Sequence, residues 1–384
     1  MKVTIGLVLL AAGLAIAGLA TGIHKATIPE NEIASGSQDS LRIMIGQMLL
    51  VGFRGKSVDE QHSIFRDISE RGIGGVILFD YDVPSKKSDR NIESPEQVRS
   101  LTSKLQEWSG IPLLIAIDQE GGRVNRLKER YGFPRSVSAG YLGTIDNPDS
   151  TRFYADRTAS VLSEIGVNLN FAPVVDLNLN PENPIIGKIE RSFSADPEVV
   201  VRNAALVVRS HTRQGIMTSL KHFPGHGSST GDTHKGLVDV SETWQESELL
   251  PYRMLLDSGL VHGVMTAHVV NRQLDSAGAS STLSSTVIGG ILREEMKYDN
   301  VVFSDDLQMG AIRDHYDLDS VVRLALEAGV DVLTFGNNSV YEPDIAARVI
   351  EIIVGLVEHK VVTKSRIEES YTRIMELKAK TAPR

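Results

Sequence analysis

Leu113-Leu114-Ile115-Ala116-Ile117-Asp118 is a run of five apolar residues that stops on a carboxylate, and the same form recurs along the chain. Val264-Met265-Thr266-Ala267 ends on His268, Thr218-Ser219-Leu220 ends on Lys221-His222, and Val301-Val302-Phe303 ends on Ser304-Asp305-Asp306. Short runs of this kind, bounded by turn residues and separated by segments of helical period, predict parallel strands joined by helices. We read strands at 47–53, 75–80, 113–118, 168–174, 217–222, 263–268, 300–305 and 331–336. Helical segments fall at 95–108, 149–165, 197–214, 243–258, 287–296 and 318–328, with two more at 343–358 and 364–380. Eight strand–helix units predict an α/β fold, a single (β/α)8 TIM barrel over 41–384. The first strand is the ambiguous one, because 43–50 reads equally as helix with the strand starting later.

A strand covered by helices has no structural use for a charge at its carboxyl end, whereas barrel enzymes keep their chemistry at that rim. Composition narrows the chemistry. The 384 residues hold no cysteine, so disulfides, thiolate metal sites and cysteine nucleophiles are excluded. A formal charge of −9 without clustered Lys and Arg argues against a nucleic-acid partner. Residues 3–23 carry no charge and are rich in Leu, Ala, Val, Ile and Gly, an export segment that precedes a linker over 24–40. Its length leaves a cleaved signal peptide and a retained membrane anchor both open, and either places the barrel outside the cytoplasmic membrane, periplasmic, secreted or attached.

Three motifs carry reactive groups. In the Gly- and Pro-rich loop from Lys221 to His234, Asp232 and His234 are two residues apart, so the carboxylate can fix the imidazole tautomer and support its protonated form. The pair is a candidate general acid/base. Asp118, followed by Gln119-Glu120-Gly121-Gly122, sits before a sharp turn and suits the vicinal hydroxyls of a sugar. Asp305 is placed to attack an anomeric carbon, while Asp306 fits a helix cap. His222, His226, Asp232, His234 and His268 are also donors of the kind zinc uses, although Lys221 beside them and the lack of a His-x-His or His-Glu-x-x-His pair oppose a metal site.

The blocks 46–53, 74–79, 117–126, 170–177, 191–193, 265–268 and 303–309, and above all Lys221-His222-Phe223-Pro224-Gly225-His226-Gly227 with Asp232-Thr233-His234, resemble glycoside hydrolase family 3 in its β-N-acetylglucosaminidase branch. The resemblance covers nearly everything after residue 40, and the Asp-x-His loop separates this branch from the family's β-glucosidases. It implies Asp305 as the nucleophile and His234, assisted by Asp232, as acid/base. Asp118, Arg191, Lys221 and His222 are then implied as ligands of the sugar hydroxyls, with Arg126 and His226 in supporting roles, an N-acetylglucosamine-containing glycan as substrate, and neither cofactor nor metal. The loop departs from the pattern at Ser228-Ser229-Thr230-Gly231 and at Val238, neither of which touches a proposed catalytic group. The export segment is a further departure, since relatives that recycle cell-wall fragments are often cytoplasmic. Three rivals remain open: a glycoside phosphorylase using the same residues, a metal-dependent barrel hydrolase, and a catalytically silent glycan-binding barrel.

Overall fold

The computed structural model describes residues 30–381, with side chains from residue 39 onward. The segment read as an export signal, residues 1–23, and the expected linker as far as residue 29 lie outside the described residues. From Glu30 the backbone is helical, and that helix runs to Gln47. From residue 39 onward the described residues form one compact unit. Among the described residues no helix is long and apolar enough to cross a membrane.

Eight short strands make up the core: β1 (Leu49–Gly52), β2 (Gly75–Leu78), β3 (Leu114–Ile117), β4 (Leu169–Asn170), β5 (Met217–Phe223), β6 (Gly263–Thr266), β7 (Val301–Phe303) and β8 (Leu333–Phe335). Hydrogen bonding orders them β8-β1-β2-β3-β4-β5-β6-β7, all parallel. A parallel bridge between Phe303 and Val332, in which Val332 N–H donates to Val302 O at 3.0 Å, joins the two ends. The sheet is therefore a closed (β/α)8 barrel. The ambiguity at its start resolves toward the helix: Gln47 is its last residue and β1 begins at Leu49.

Most observed strands are shorter than the apolar runs because their last polar residues leave the ladder and turn over the rim, whereas β5 keeps Lys221 and His222 within the strand and ends at Phe223. The helices follow local chemistry. Ser94, Asn147 and Asp196 each precede a proline and accept a backbone N–H from the first turn, which fixes three helix starts on the barrel's outside. The expected helix at 243–258 is broken into a 3-10 turn (Glu246–Leu249) and a short helix (Leu250–Asp257). The expected 287–296 helix is wound as a π-helix over Thr286–Glu295, across Gly289 and Gly290. Strand residues are almost wholly buried, and at the top of the core Phe171 and Phe303 meet edge to face at 5.4 Å.

Beyond the rim, Val238–Asp239 pairs in parallel with Val269–Val270. This small ladder ties down the far end of the long loop after β5. The loop's middle is tied elsewhere, since Ala311 N–H donates to Thr233 O at 3.1 Å. A Cβ on Gly310 would lie 2.8 Å from His234 O, so only glycine allows that approach.

Candidate active site

The carboxyl ends of the strands surround a pocket of about 870 Å³, partly open to solvent, lined among others by Asp118, Arg126, His234, Asp305 and Asp306. The phenyl ring of Phe171 lies among the same lining residues.

Asp305 and Asp306 are neighbours with divergent environments. Burial pushes Asp305 toward its neutral form, but the imidazoles of His268, His222 and His234 and the Asp306 N–H more than offset it, bringing its pKa down to about 2. The Asp306 N–H donates to Asp305 Oδ1 at 2.8 Å. Asp306 is raised to about 6, chiefly by burial. Its Oδ1 accepts N–H groups from Gln308 (3.0 Å) and Gly336 (2.9 Å), so it is tied to the backbone while Asp305 stays charged and faces the pocket.

His234 stands on the pocket wall with 58% of its side chain exposed. Asp232 Oδ1 accepts from both its backbone N–H (3.0 Å) and its Nδ1 (2.9 Å). Asp232 has its pKa lowered to about 2, first through the hydrogen bond from His234. A carboxylate only accepts, so Nδ1 carries the hydrogen and Nε2 is the nitrogen left for proton exchange. Burial works to lower the His234 pKa, yet the bond to Asp232 and the charges of Asp305 and Asp232 raise it above its ordinary value.

Behind the pocket lies an ion ladder. Lys221, 2% exposed, donates to Asp118 Oδ1 at 2.7 Å and lies 2.6 Å from Glu120 Oε1. Arg191 grips Glu120 with two bonds of 2.8 Å. Despite full burial, which favours its neutral form, Glu120 is held well below the usual carboxylate range by Arg191 and Lys221. Arg191 also donates to His222 Nε2 at 3.2 Å. His222 Nδ1 in turn donates to Asp176 Oδ2 at 2.7 Å, which fixes His222 as the Nδ1–H tautomer. Arg126 approaches Asp118 Oδ2 at 3.6 Å from the solvent side. The turn that brings Asp118 and Glu120 to these partners passes through Gly121 and Gly122, both at positive φ.

The expected site residues thus fall into layers. Asp118, Arg126, His234 and Asp305 line the pocket, Asp232 backs His234, and Lys221, Arg191 and His222 stand behind Asp118. His226 sits beneath the loop instead of in the pocket. It is buried, with its pKa lowered to about 4 by burial, and it meets Thr233 Oγ1 at 3.4 Å and the His222 ring edge to face. The five donors considered for a metal have separate partners: His222 on Asp176, His226 on Thr233, Asp232 and His234 on each other, and His268 between Thr282 and Asp306 O. Among the described residues no group of three or more His, Asp or Glu is arranged to hold an ion.

Two buried carboxylates were given no role from sequence. Glu120 neutralises Arg191 and Lys221, and Asp176 accepts the backbone N–H groups of both His222 and His226 besides the His222 ring. Both lay within reach of the strand-end rule, since Asp176 closes Pro173-Val174-Val175 and Glu120 follows Asp118 by two residues.

Comparison with known proteins sets this arrangement among relatives. The family model for the glycosyl hydrolase family 3 N terminal domain matches residues 40–377. A beta-hexosaminidase from Alkalilimnicola ehrlichii is 36% identical over 299 residues, 76% of this chain and 80% of the relative. Beta-hexosaminidase A from Pseudoalteromonas piscicida is 35% identical over 289 residues, 69% of this chain, but the match spans only 46% of that longer protein. A solved family 3 beta-N-acetylglucosaminidase from Paenibacillus superposes with a TM-score of 0.81 at 34% identity, covering 89% of this chain and 62% of the other.

Proposed function

The chain belongs to family 3 of the glycosyl hydrolases, and on that premise we propose that it is an exo-acting, retaining β-N-acetylglucosaminidase. The observation that carries the reading is that Asp305 and His234 line one pocket, the first ionised and the second presenting a free Nε2. In the first step an Asp305 oxygen attacks the anomeric carbon of a terminal β-linked sugar. The bond to the leaving oxygen breaks, and that oxygen takes the proton from His234 Nε2, leaving a glycosyl ester on Asp305. In the second step Nε2 removes a proton from water, whose oxygen displaces the carboxylate and releases the sugar with its configuration retained. Asp118 and Arg126 meet the sugar's hydroxyls directly, while Lys221, Arg191 and Glu120 hold Asp118 in place. No step calls on a cofactor.

The N-acetyl preference is supported by the relatives, which include beta-hexosaminidases and a family 3 beta-N-acetylglucosaminidase. Hydrolysis of matched aryl β-glycosides of N-acetylglucosamine and glucose tests it: strong preference for the first is expected, and equal rates would refute it. The charge-free run at 3–23 supports action outside the cytoplasmic membrane, on peptidoglycan-derived or chitin-type oligosaccharides. A phosphorylase is the second reading, favoured by an acid/base that is an imidazole and so does not repel an incoming anion as a carboxylate would. Formation of the sugar 1-phosphate in phosphate buffer decides between them.

A further inference from the structure

The groups that hold the sugar to be cleaved come from the ends of β3, β4 and β5. The opposite part of the pocket mouth, after β2 and β8, is different in character: Phe79, Tyr81, Val83, Asn338 and Ser339 line it, and none is charged. Its chain is Phe79-Asp80-Tyr81-Asp82-Val83, which alternates like a strand. Asp80 and Asp82 are each 1% exposed, whereas Tyr81 is 39% and Val83 50% exposed. The acidic residues point down and the apolar ones point out, the reverse of ordinary surface chemistry.

The inversion is fixed by a costly set of contacts. Arg90, with no exposed surface, donates to Asp82 Oδ2 at 2.8 Å, to Phe53 O at 2.8 Å, to Asn338 Oδ1 at 3.2 Å and to Gly336 O at 3.3 Å. Arg54 adds a second fork to Asp82, at 2.7 and 3.1 Å, and itself lies over the Tyr341 ring at 4.0 Å. Asp82 is consequently held far below the usual carboxylate range, against its burial. Lys128 pairs with Asp80, and Arg130 stands 3.7 Å from the same carboxylate oxygen. The turn closes through paired backbone bonds between Asp82 and Lys87. Taking a guanidinium entirely out of water for one surface turn gains little for the barrel core. It does hold an aromatic ring and a branched side chain rigidly at the mouth of the pocket that contains the reacting groups.

We propose that Tyr81 and Val83, with Asn338 beside them, form the seat for the leaving-group sugar. A pyranose has one apolar C–H face, suited to an aromatic ring, and a hydroxyl edge suited to an amide. An exposed apolar patch continuous with a polar pocket is where such an amphipathic ring is accommodated. The inference rests on the assignment of Asp305 and His234 above, because it takes cleavage to occur between the β3–β5 side and the β2–β8 side.

Two substrates separate the effects: the β-1,4-linked disaccharide of N-acetylglucosamine, and N-acetylglucosaminyl fluoride, which presents the same sugar to Asp305 but has no leaving-group ring. In Tyr81→Ala the ratio of kcat/KM for the disaccharide to that for the fluoride should fall about tenfold, mainly through KM. Tyr81→Phe should keep the ratio within about twofold of wild type, since the ring face is preserved. Equal losses on both substrates would place Tyr81 against the cleaved sugar, its acetamide included, and overturn the proposal, as would an unchanged ratio. A wild-type enzyme inert toward the fluoride would refute the assignment of the reacting pair itself, and this inference with it.

Discussion

Replacing Asp232 by Asn keeps the side chain's size and one accepting oxygen but removes the charge that supports the protonated imidazole of His234. In the native site that carboxylate accepts from Nδ1 at 2.9 Å and from the backbone N–H at 3.0 Å. Two unit charges whose centres lie about 4 Å apart interact by about 1 kcal/mol in water and about 4 kcal/mol at the effective dielectric of a protein surface. With 58% of the His234 side chain exposed, the lower figure applies, a factor of about five in the population of the acid. Asn also offers its N–H₂ to Nδ1 in the flipped rotamer, which selects the wrong tautomer and puts the hydrogen on Nε2 only in the neutral ring. The combined loss in kcat/KM for an unactivated disaccharide should then be about 10- to 100-fold. The sign with pH follows from the contacts: Asp232 raises the His234 pKa, so without its charge the alkaline limb of kcat/KM moves to lower pH. The assay is a pH series of kcat/KM on the disaccharide and on an aryl glycoside with an acidic phenol. The aryl substrate needs little protonation and should lose far less. Equal losses on both substrates, or an alkaline limb that stays in place, would refute the acid role.

Asp305→Ala should lower turnover by at least about 10⁴-fold while the fold persists, and added azide should restore release of the phenol from an aryl glycoside with inverted sugar azide as product. A substantially active variant removes Asp305 from the mechanism. Glu120→Gln leaves the buried Arg191 and Lys221 short of an opposing charge and should cost about 3–5 kcal/mol, read as a fall in Tm of roughly 4–7 °C. A change below 1 °C would mean that the ladder is not stabilised by that carboxylate. Glu248 accepts the Gly227 N–H at 3.0 Å beneath the long loop, and burial raises its pKa from 4.5 to about 7. The folded state then holds a proton that the unfolded state has released, so the contribution is full below about pH 4.5 and is lost as pH rises through 7. Glu248→Gln should flatten the decline of Tm between pH 5 and 8, and an undiminished decline would assign it to other groups.

Strand ends were legible because two constraints coincide there: apolar length fixes where a strand stops, and a charge immediately after it has few purely structural uses. That logic located Asp118, Lys221, His222 and Asp305 by position alone. Which way each side chain then turns was not legible. His226 sits in a Gly-His-Gly setting that suggests a mobile ligand, yet the imidazole is directed under the loop toward Thr233, a contact set by tertiary packing. The positions of Glu120 and Asp176 were within reach of the same rule but their roles were not, since their partners Arg191 and His222 are 71 and 46 residues away. Helix positions followed the hydrophobic period, and the broken segment at 246–257 did not, because Pro251 and the capping contacts between Gln245 and Glu248 divide a stretch whose apolar spacing is continuous.

The bond from Ala311 to Thr233 joins two parts of the chain with different proposed jobs, since one carries the proposed proton donor His234 and the other begins a few residues after the proposed nucleophile Asp305. That bond is a direct backbone tether between the segment carrying His234 and the segment that follows Asp305. A methyl group on Gly310 would press against His234 O at 2.8 Å, so Gly310→Ala should displace the loop that carries the imidazole from its seat beside the Asp305 segment.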